Sequence, residues 1–161
     1  MFSERNVLVA SGAGFIGSRL VSRLADMGAN VTIVDSLDPR YGGNLHNLKA
    51  FRDRVVLDQR DIRSPDTMRE LVPGMDFIFN LAAQTSHVGS MEAPLEDVTI
   101  NVMGHMSLLE ACRTLNPRAR IVFTSTRQLY GRPDYLPVDE SHPIRPPDVN
   151  GFSKFAAEGY T

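Results

Sequence analysis

Three glycines in six residues, Gly12-Ala-Gly14-Phe-Ile-Gly17, carry the first chemistry visible in this chain. Residues without a Cβ let the backbone turn sharply and approach a pyrophosphate, and a helix starting directly behind them offers free N–H groups and a partial positive charge. G-x-G-x-x-G is weak alone. It gains force here because the apolar run "NVLVAS" precedes it and an amphipathic segment from Phe15 to Met27 follows. The ligand so implied is an adenine dinucleotide. Asp35 ends the next apolar run, "NVTIVD", about twenty residues beyond the loop. A carboxylate there bonds the adenosine ribose hydroxyls and repels a 2′-phosphate, which selects NAD over NADP. The bland alternative is a tight strand-to-helix turn with a surface Asp nearby. No metal centre is expected: His46, His87, His105 and His142 lack ligand spacing, and Cys112 has no second cysteine to join.

The elements that must position this loop follow a simple alternation. "NVLVAS", "NVTIVD", "RVVLDQ", "DFIFNLAA" and "RIVFTST" are apolar runs rich in Val, Ile and Phe, which predicts strands covered on both faces. Between them lie helical stretches at Phe15 to Met27, near Asn44 to Phe51, at Pro65 to Leu71, and a long one from about Pro94 to Leu115. Strand alternating with helix means an α/β fold, a doubly wound parallel sheet. After the fifth run, "RQLYGRPDYLPVDESHPIRPPDV" is crowded with Pro and Asp and reads as a surface excursion of the kind that serves a site.

Composition narrows the partners. A chain of 161 residues suits one domain, residues 1–161. Its net charge is −2, and its seventeen basic residues are scattered, so nucleic acid is not an expected partner. No apolar run is long enough to span a bilayer, and "MFSERN" lacks a signal peptide's basic-then-apolar order. With one cysteine, a reducing cytoplasm is the expected setting.

The segments "ASGAGFIGSRLVSRL", "VTIVDSLDP", "FNLAAQTSHVGSMEAP", "INVMGHMSLLEACR", "IVFTSTRQLYGRP", "LPVDESHPIRP" and "GFSKFAAEGY" occur in an order that resembles the extended short-chain dehydrogenase/reductases, the NAD-dependent epimerase/dehydratase family acting on nucleotide sugars. The resemblance covers essentially the whole chain and implies a Rossmann fold with NAD as cofactor. It places Ser11 where the family has the first glycine of its loop, ahead of Gly12, Gly14, Phe15, Ile16 and Gly17. It implies that Asp61 and Ile62 flank the adenine, and that Leu81, Ala82 and Ala83 line the path from pyrophosphate to nicotinamide.

The family's reaction starts with hydride transfer from a sugar carbon, so a base must take the hydroxyl proton. A Tyr-x-x-x-Lys pair on one helix face does this, and a Ser or Thr at the preceding strand end orients the hydroxyl. By resemblance Thr126 is that hydroxyl residue and Lys154 the lysine, which also holds the nicotinamide ribose, but Asn150 stands at the tyrosine position. An amide does not take up a proton near neutrality. Losing a general base costs about 10²- to 10⁴-fold in rate. Asn150 also lies near a helix start, where Asn caps well. His87, near the substrate side of the cleft in the family's layout, is a candidate replacement base, against the reading of a partly exposed residue opening a helix. By the same resemblance Tyr130 belongs to the "YG" that follows the strand, and is expected to pack or contact substrate.

Two functions stay open. One is an NAD-dependent nucleotide-sugar epimerase or oxidoreductase; dehydration is disfavoured because Arg127 and Gln128 occupy the places where dehydrating members carry Asp-Glu. The other is a catalytically impaired NAD-binding module, a sensor or scaffold. The helix from Asn101 to Leu115 is apolar on two sides: Val102, Met106 and Leu109 on one, Ile100, Met103, Leu108, Cys112 and Leu115 extending it. It needs two partners, the sheet and, by resemblance, the same helix in a homodimer, or else loops of its own chain. The resemblance also implies that further strands and a substrate portion follow Thr161, so that the chain stops within the helix carrying Lys154.

Overall fold

The computed structural model describes residues 2–161. Five parallel strands, β1 (Asn6–Ala10), β2 (Asn30–Val34), β3 (Val56–Asp58), β4 (Phe77–Asn80) and β5 (Arg120–Phe123), lie in the order β3-β2-β1-β4-β5. The chain runs outward from β1 to β3, then returns to β4 on the other side of β1. The sheet is therefore doubly wound, a Rossmann arrangement, and its crevice opens at the carboxyl ends of β1 and β4.

Strand β1 shows why the central runs read as continuously apolar. Val7 and Val9 enter a core shared with Val21, Leu24, Ile33, Leu48 and Phe51, while Leu8 and Ala10 enter the opposite core with Met68, Ile78, Leu108 and Cys112. Alternate side chains go to opposite faces, so a strand covered twice has no polar positions. Each fully buried Leu, Ile or Val contributes about 1.5–3 kcal/mol. The rims depart from the expectation of two covered faces. Val122 on β5 and Val56 on β3, the outermost strands of the described sheet, are exposed.

Helix α1 (Phe15–Asp26) covers one face, and α2 (Pro65–Leu71) and α5 (Gly104–Leu115) cover the other. Ser64 caps α2 by accepting from the Thr67 amide, with Pro65 at the first helical position. The stretch 44–51 forms short 3-10 turns rather than a helix. The expected long helix is three pieces in line: α4 (Pro94–Val98), a π turn (Thr99–Met103), and α5; a separate α3 (His87–Glu92) precedes them. Ile100, Leu108 and Cys112 are buried, whereas Met103 and Leu115 are exposed. The last helix, α6 (Val149–Tyr160), packs against α3, α4 and the π turn. Among the described residues no helix is long and apolar enough to cross a membrane.

Candidate functional site

The glycine loop leaves β1 at Ala10 and enters α1 at its cap, Gly14. The left-handed turn falls on Ser11, at φ +61°, not on Gly12. A side chain there costs about 1–2 kcal/mol relative to ordinary backbone, which explains why a glycine is favoured at this place. Gly12 has another reason: a Cβ would lie 2.7 Å from Ile33 Cγ2 on β2. A Cβ on Gly17 would collide with the Ser11 carbonyl oxygen, so only glycine lets the first turn of α1 press against the loop. No side chain caps α1, and among the described residues the amides of Phe15, Ile16 and Gly17 have no acceptor. Those N–H groups at a helix start form an anion cradle.

Asp35 is buried directly after β2 and is more tightly engaged than a ribose-binding role alone requires. Its Oδ2 accepts from the Ala13 amide at 2.9 Å, and its Oδ1 accepts from Leu37 at 2.9 Å. The carboxylate thus fixes the glycine loop to the tip of β2, while each oxygen keeps a second lone pair. A pocket beside it is lined by Ser11, Asp35, Asp61, Ile62, Ala82 and Ala83, so the residues expected at the adenosine end, Asp35, Asp61 and Ile62, share one pocket with the loop and with two residues expected on the path to the nicotinamide. Asp61 faces burial that would raise its pKa, yet the Arg63 guanidinium and amide hold it below the ordinary carboxylate value. Ile62 belongs mostly to the core, against Gly104.

Beyond this pocket a cavity of about 590 Å³ runs from the loop to α6. Ser11, Gly14 to Gly17, Leu81, Ala83, His87, Thr126, Asn150 and Lys154 all line it. Lys154 is 5 % exposed; its Nζ donates to the Thr124 carbonyl at 2.9 Å and lies 4.5 Å from the Phe123 ring centre. Burial drives its pKa down to about 8, against a smaller opposing pull from Asp97. Thr126, three residues beyond β5, caps the 3-10 turn Arg127–Tyr130, its Oγ1 accepting from the Gln128 amide at 3.2 Å.

Asn150 is the second residue of α6 and not its cap. Asp148 is the cap, accepting from the Gly151 amide at 2.8 Å. The Asn150 side chain is buried, donating through Nδ2 to the Gln84 carbonyl at 2.7 Å and to Asp97 Oδ2 at 3.1 Å. Asn101, from the π turn, donates to the same Asp97 oxygen at 3.0 Å and pairs both ways with the Gln84 backbone. Asp97 is fully buried, and its Oδ1 has no partner among the described residues. His87 opens α3 behind its Ser86 cap, with Nδ1 2.9 Å from Asp148 Oδ2. Tyr130 packs edge-on against His142, with ring centres 5.6 Å apart.

Sequence reasoning did not find Asp148, Gln84, Asp97 or Asn101. Asp148 does carry a signal, an acid in helix-cap position before "VNG", but its partner lies far away on α3. The other three belong to a buried amide network that no spacing rule reveals.

A family model described as GDP-mannose 4,6 dehydratase matches residues 8–161. A UDP-glucose 4-epimerase from Mycolicibacterium smegmatis is 36% identical over 156 residues, covering 95% of this chain and 49% of that protein. Among solved structures, the UDP-N-acetylglucosamine 4-epimerase from Methanobrevibacter ruminantium M1, in complex with UDP-N-acetylmuramic acid, superposes with TM-score 0.89 at 30% identity, covering 98% of this chain and 49% of the other. The UDP-glucose 4-epimerase of Thermus thermophilus, in complex with NAD, gives TM-score 0.84 at 34% identity, covering 96% and 49%. The chain spans about half the length of the relatives it matches.

Proposed function

We propose that this chain, which belongs to the NAD-dependent epimerase/dehydratase family of extended short-chain dehydrogenase/reductases, is the cofactor-binding part of a nucleotide-sugar epimerase working by hydride transfer at a sugar carbon. The observation that carries this reading is one continuous cleft with the unbonded amides of α1 at one end and Thr126 with Lys154 at the other. The residues fit a dinucleotide: the Phe15 to Gly17 amides match a pyrophosphate, Asp35 and Asp61 the adenosine end, and Leu81, Ala82 and Ala83 leave room for the path between. NAD, when bound, supplies a hydride acceptor that later returns the hydride. Lys154 holds the nicotinamide ribose, and its buried charge favours a group that is losing a proton. Thr126 orients the sugar hydroxyl.

Epimerisation suits the site better than dehydration. Dehydrating relatives carry Asp-Glu after the Thr, where Arg127 and Gln128 stand here, and the Gln128 amide is spent on Asp148. The half-buried Val102, Met106 and Leu109, with exposed Met103 and Leu115, make a homodimer through residues 101–115 part of the proposal, checked by gel filtration. The chain has no Trp, so NADH binding is read cleanly from NADH fluorescence, and NAD reduction by UDP-, GDP- and CDP-sugars is followed in the full-length protein. A chain that binds no NADH refutes the reading. Asn150 favours the second reading, an NAD-binding sensor or scaffold, because its amide sits buried in a network that includes no proton acceptor exposed to the cleft. Cofactor bound tightly, with the bound NAD reduced by no sugar, supports that one.

A further inference from the structure

We infer that His87, positioned by Asp148, is the group that takes the sugar hydroxyl proton in place of the phenol that Asn150 replaces. This rests on the nucleotide-sugar reading and deepens it.

Three groups with titratable acceptors line the long cavity apart from the arginine. Tyr41 belongs to the wrong end, beside Arg40 and the adenine pocket, and its burial and its bond to Glu96 raise its pKa further. Lys154 donates to the Thr124 carbonyl and stacks over Phe123, which commits its ammonium to holding rather than exchanging protons. His87 remains, and its surroundings are ordered for the task.

A carboxylate only accepts hydrogen bonds. The 2.9 Å contact from Nδ1 to Asp148 Oδ2 therefore places the imidazole proton on Nδ1 and leaves the Nε2 lone pair, which has no partner among the described residues. A base oriented through its other nitrogen by a fixed acid is the arrangement that holds a catalytic imidazole in one tautomer. Asp148 is itself fixed. Its Oδ1 caps α6, the helix that carries Asn150 and Lys154, and its Oδ2 also accepts from Gln128 Nε2 at 3.2 Å. Gln128 in turn donates its backbone amide to Thr126 Oγ1 at 3.2 Å. One hydrogen-bonded unit, His87–Asp148–Gln128–Thr126, thus ties the imidazole to the hydroxyl residue of the family's reaction. Burial would raise the Asp148 pKa, but the Gly151 amide, Gln128 and His87 together pull it below the ordinary value, so the acid stays ionised. The other charged groups on the helices packed against α3 are Glu96 and Asp97 on α4 and Lys154 and Glu158 on α6, and none pairs with His87.

In the oxidation half, the O–H and adjacent C–H bonds of the sugar break and a C=O bond forms. The proton goes to His87 Nε2, and the hydride with its electron pair goes to the oxidised nicotinamide. The imidazolium, paired with Asp148, returns the proton when the hydride returns.

The experiment uses the full-length protein with ¹⁵N-labelled histidine and reads two things. The first is the ring of His87, by NMR across pH. The Nδ1–H tautomer is expected, and Asp148→Asn, which keeps an oxygen to cap Gly151 but drops the charge, should weaken that tautomer preference. The second is single-turnover NAD reduction by a nucleotide sugar. His87→Gln should slow it about 100-fold or more with NADH affinity unchanged, and Asp148→Asn should slow it less. An Nε2–H tautomer, or His87→Gln at wild-type rate, overturns the assignment alone. A wild-type protein whose bound NAD no sugar nucleotide reduces overturns the epimerase reading, and the assignment with it.

Discussion

Replacing Lys154 with Met tests the electrostatics of the cleft directly. The ammonium is 5 % exposed, and burial takes its pKa from 10.5 down to about 8. At about 1.4 kcal/mol for each pH unit, that gap is on the order of 3 kcal/mol. The sign follows from proton binding: between pH 8 and 10.5 the unfolded chain holds this proton and the folded chain does not, so folding strengthens as pH rises. Below pH 8 both states are protonated and the full penalty applies. The stability difference between wild type and Lys154→Met should therefore be flat from about pH 6 to 8, then shift by about 3 kcal/mol in favour of wild type by pH 10.5. The lost bond to Thr124 changes the flat level by about 1 kcal/mol but not the slope. Urea unfolding at a series of pH values measures it, and in a chain of this size 3 kcal/mol corresponds to about 6–12 °C in Tm. Other titrating groups cancel in the difference. Parallel curves for the two proteins would refute the claim that Lys154 is held charged at a desolvated position.

Gly17→Ala drives a methyl into the Ser11 carbonyl and to 2.9 Å from Gly12 Cα. It should cost about 1–3 kcal/mol in urea unfolding and weaken NADH binding more than tenfold. Ser11→Gly relieves the left-handed backbone, offset in part by the freer unfolded chain, for a net gain of about 0.5 kcal/mol. A Tm lowered by this change would show that the Ser11 hydroxyl matters more than its backbone. His105 accepts from Asn80 through Nδ1 and donates through Nε2 to Thr161; burial, then the charge of Lys154, pushes its pKa down to about 4. Its contribution is complete above pH 6.5 and is lost on going down toward pH 4, so wild type should shed on the order of 3 kcal/mol relative to His105→Gln across that window.

Much of this is legible in the chain itself. The run from Val7 to Ala10 is apolar at every position because both faces are covered, and the glycine loop after it needs no tertiary information to be recognised. What stays hidden depends on groups that meet only after folding. Ser11 looks like a mild replacement for glycine until its positive φ is seen. Asp35 reads as a ligand-binding acid, whereas half of its hydrogen-bonding capacity holds Ala13 and Leu37. Asn150 reads as a cap, but the cap is two residues earlier, since Asp148 meets the Gly151 amide. Val56 reads as core because composition does not say that β3 lies at the rim.

The acid at Asp97 has a consequence for anyone redesigning the cleft. Both of its side-chain donors are neutral amides, one from the π turn and one from α6. Among the described residues no cation bonds to it, so nothing replaces either donor if one is withdrawn. Installing tyrosine at position 150 would leave Asn101 as the single side-chain donor shared by the Asp97 carboxylate and the Gln84 carbonyl, so a phenol returns to this cleft at least cost when positions 97, 101 and 150 are rewritten as a set.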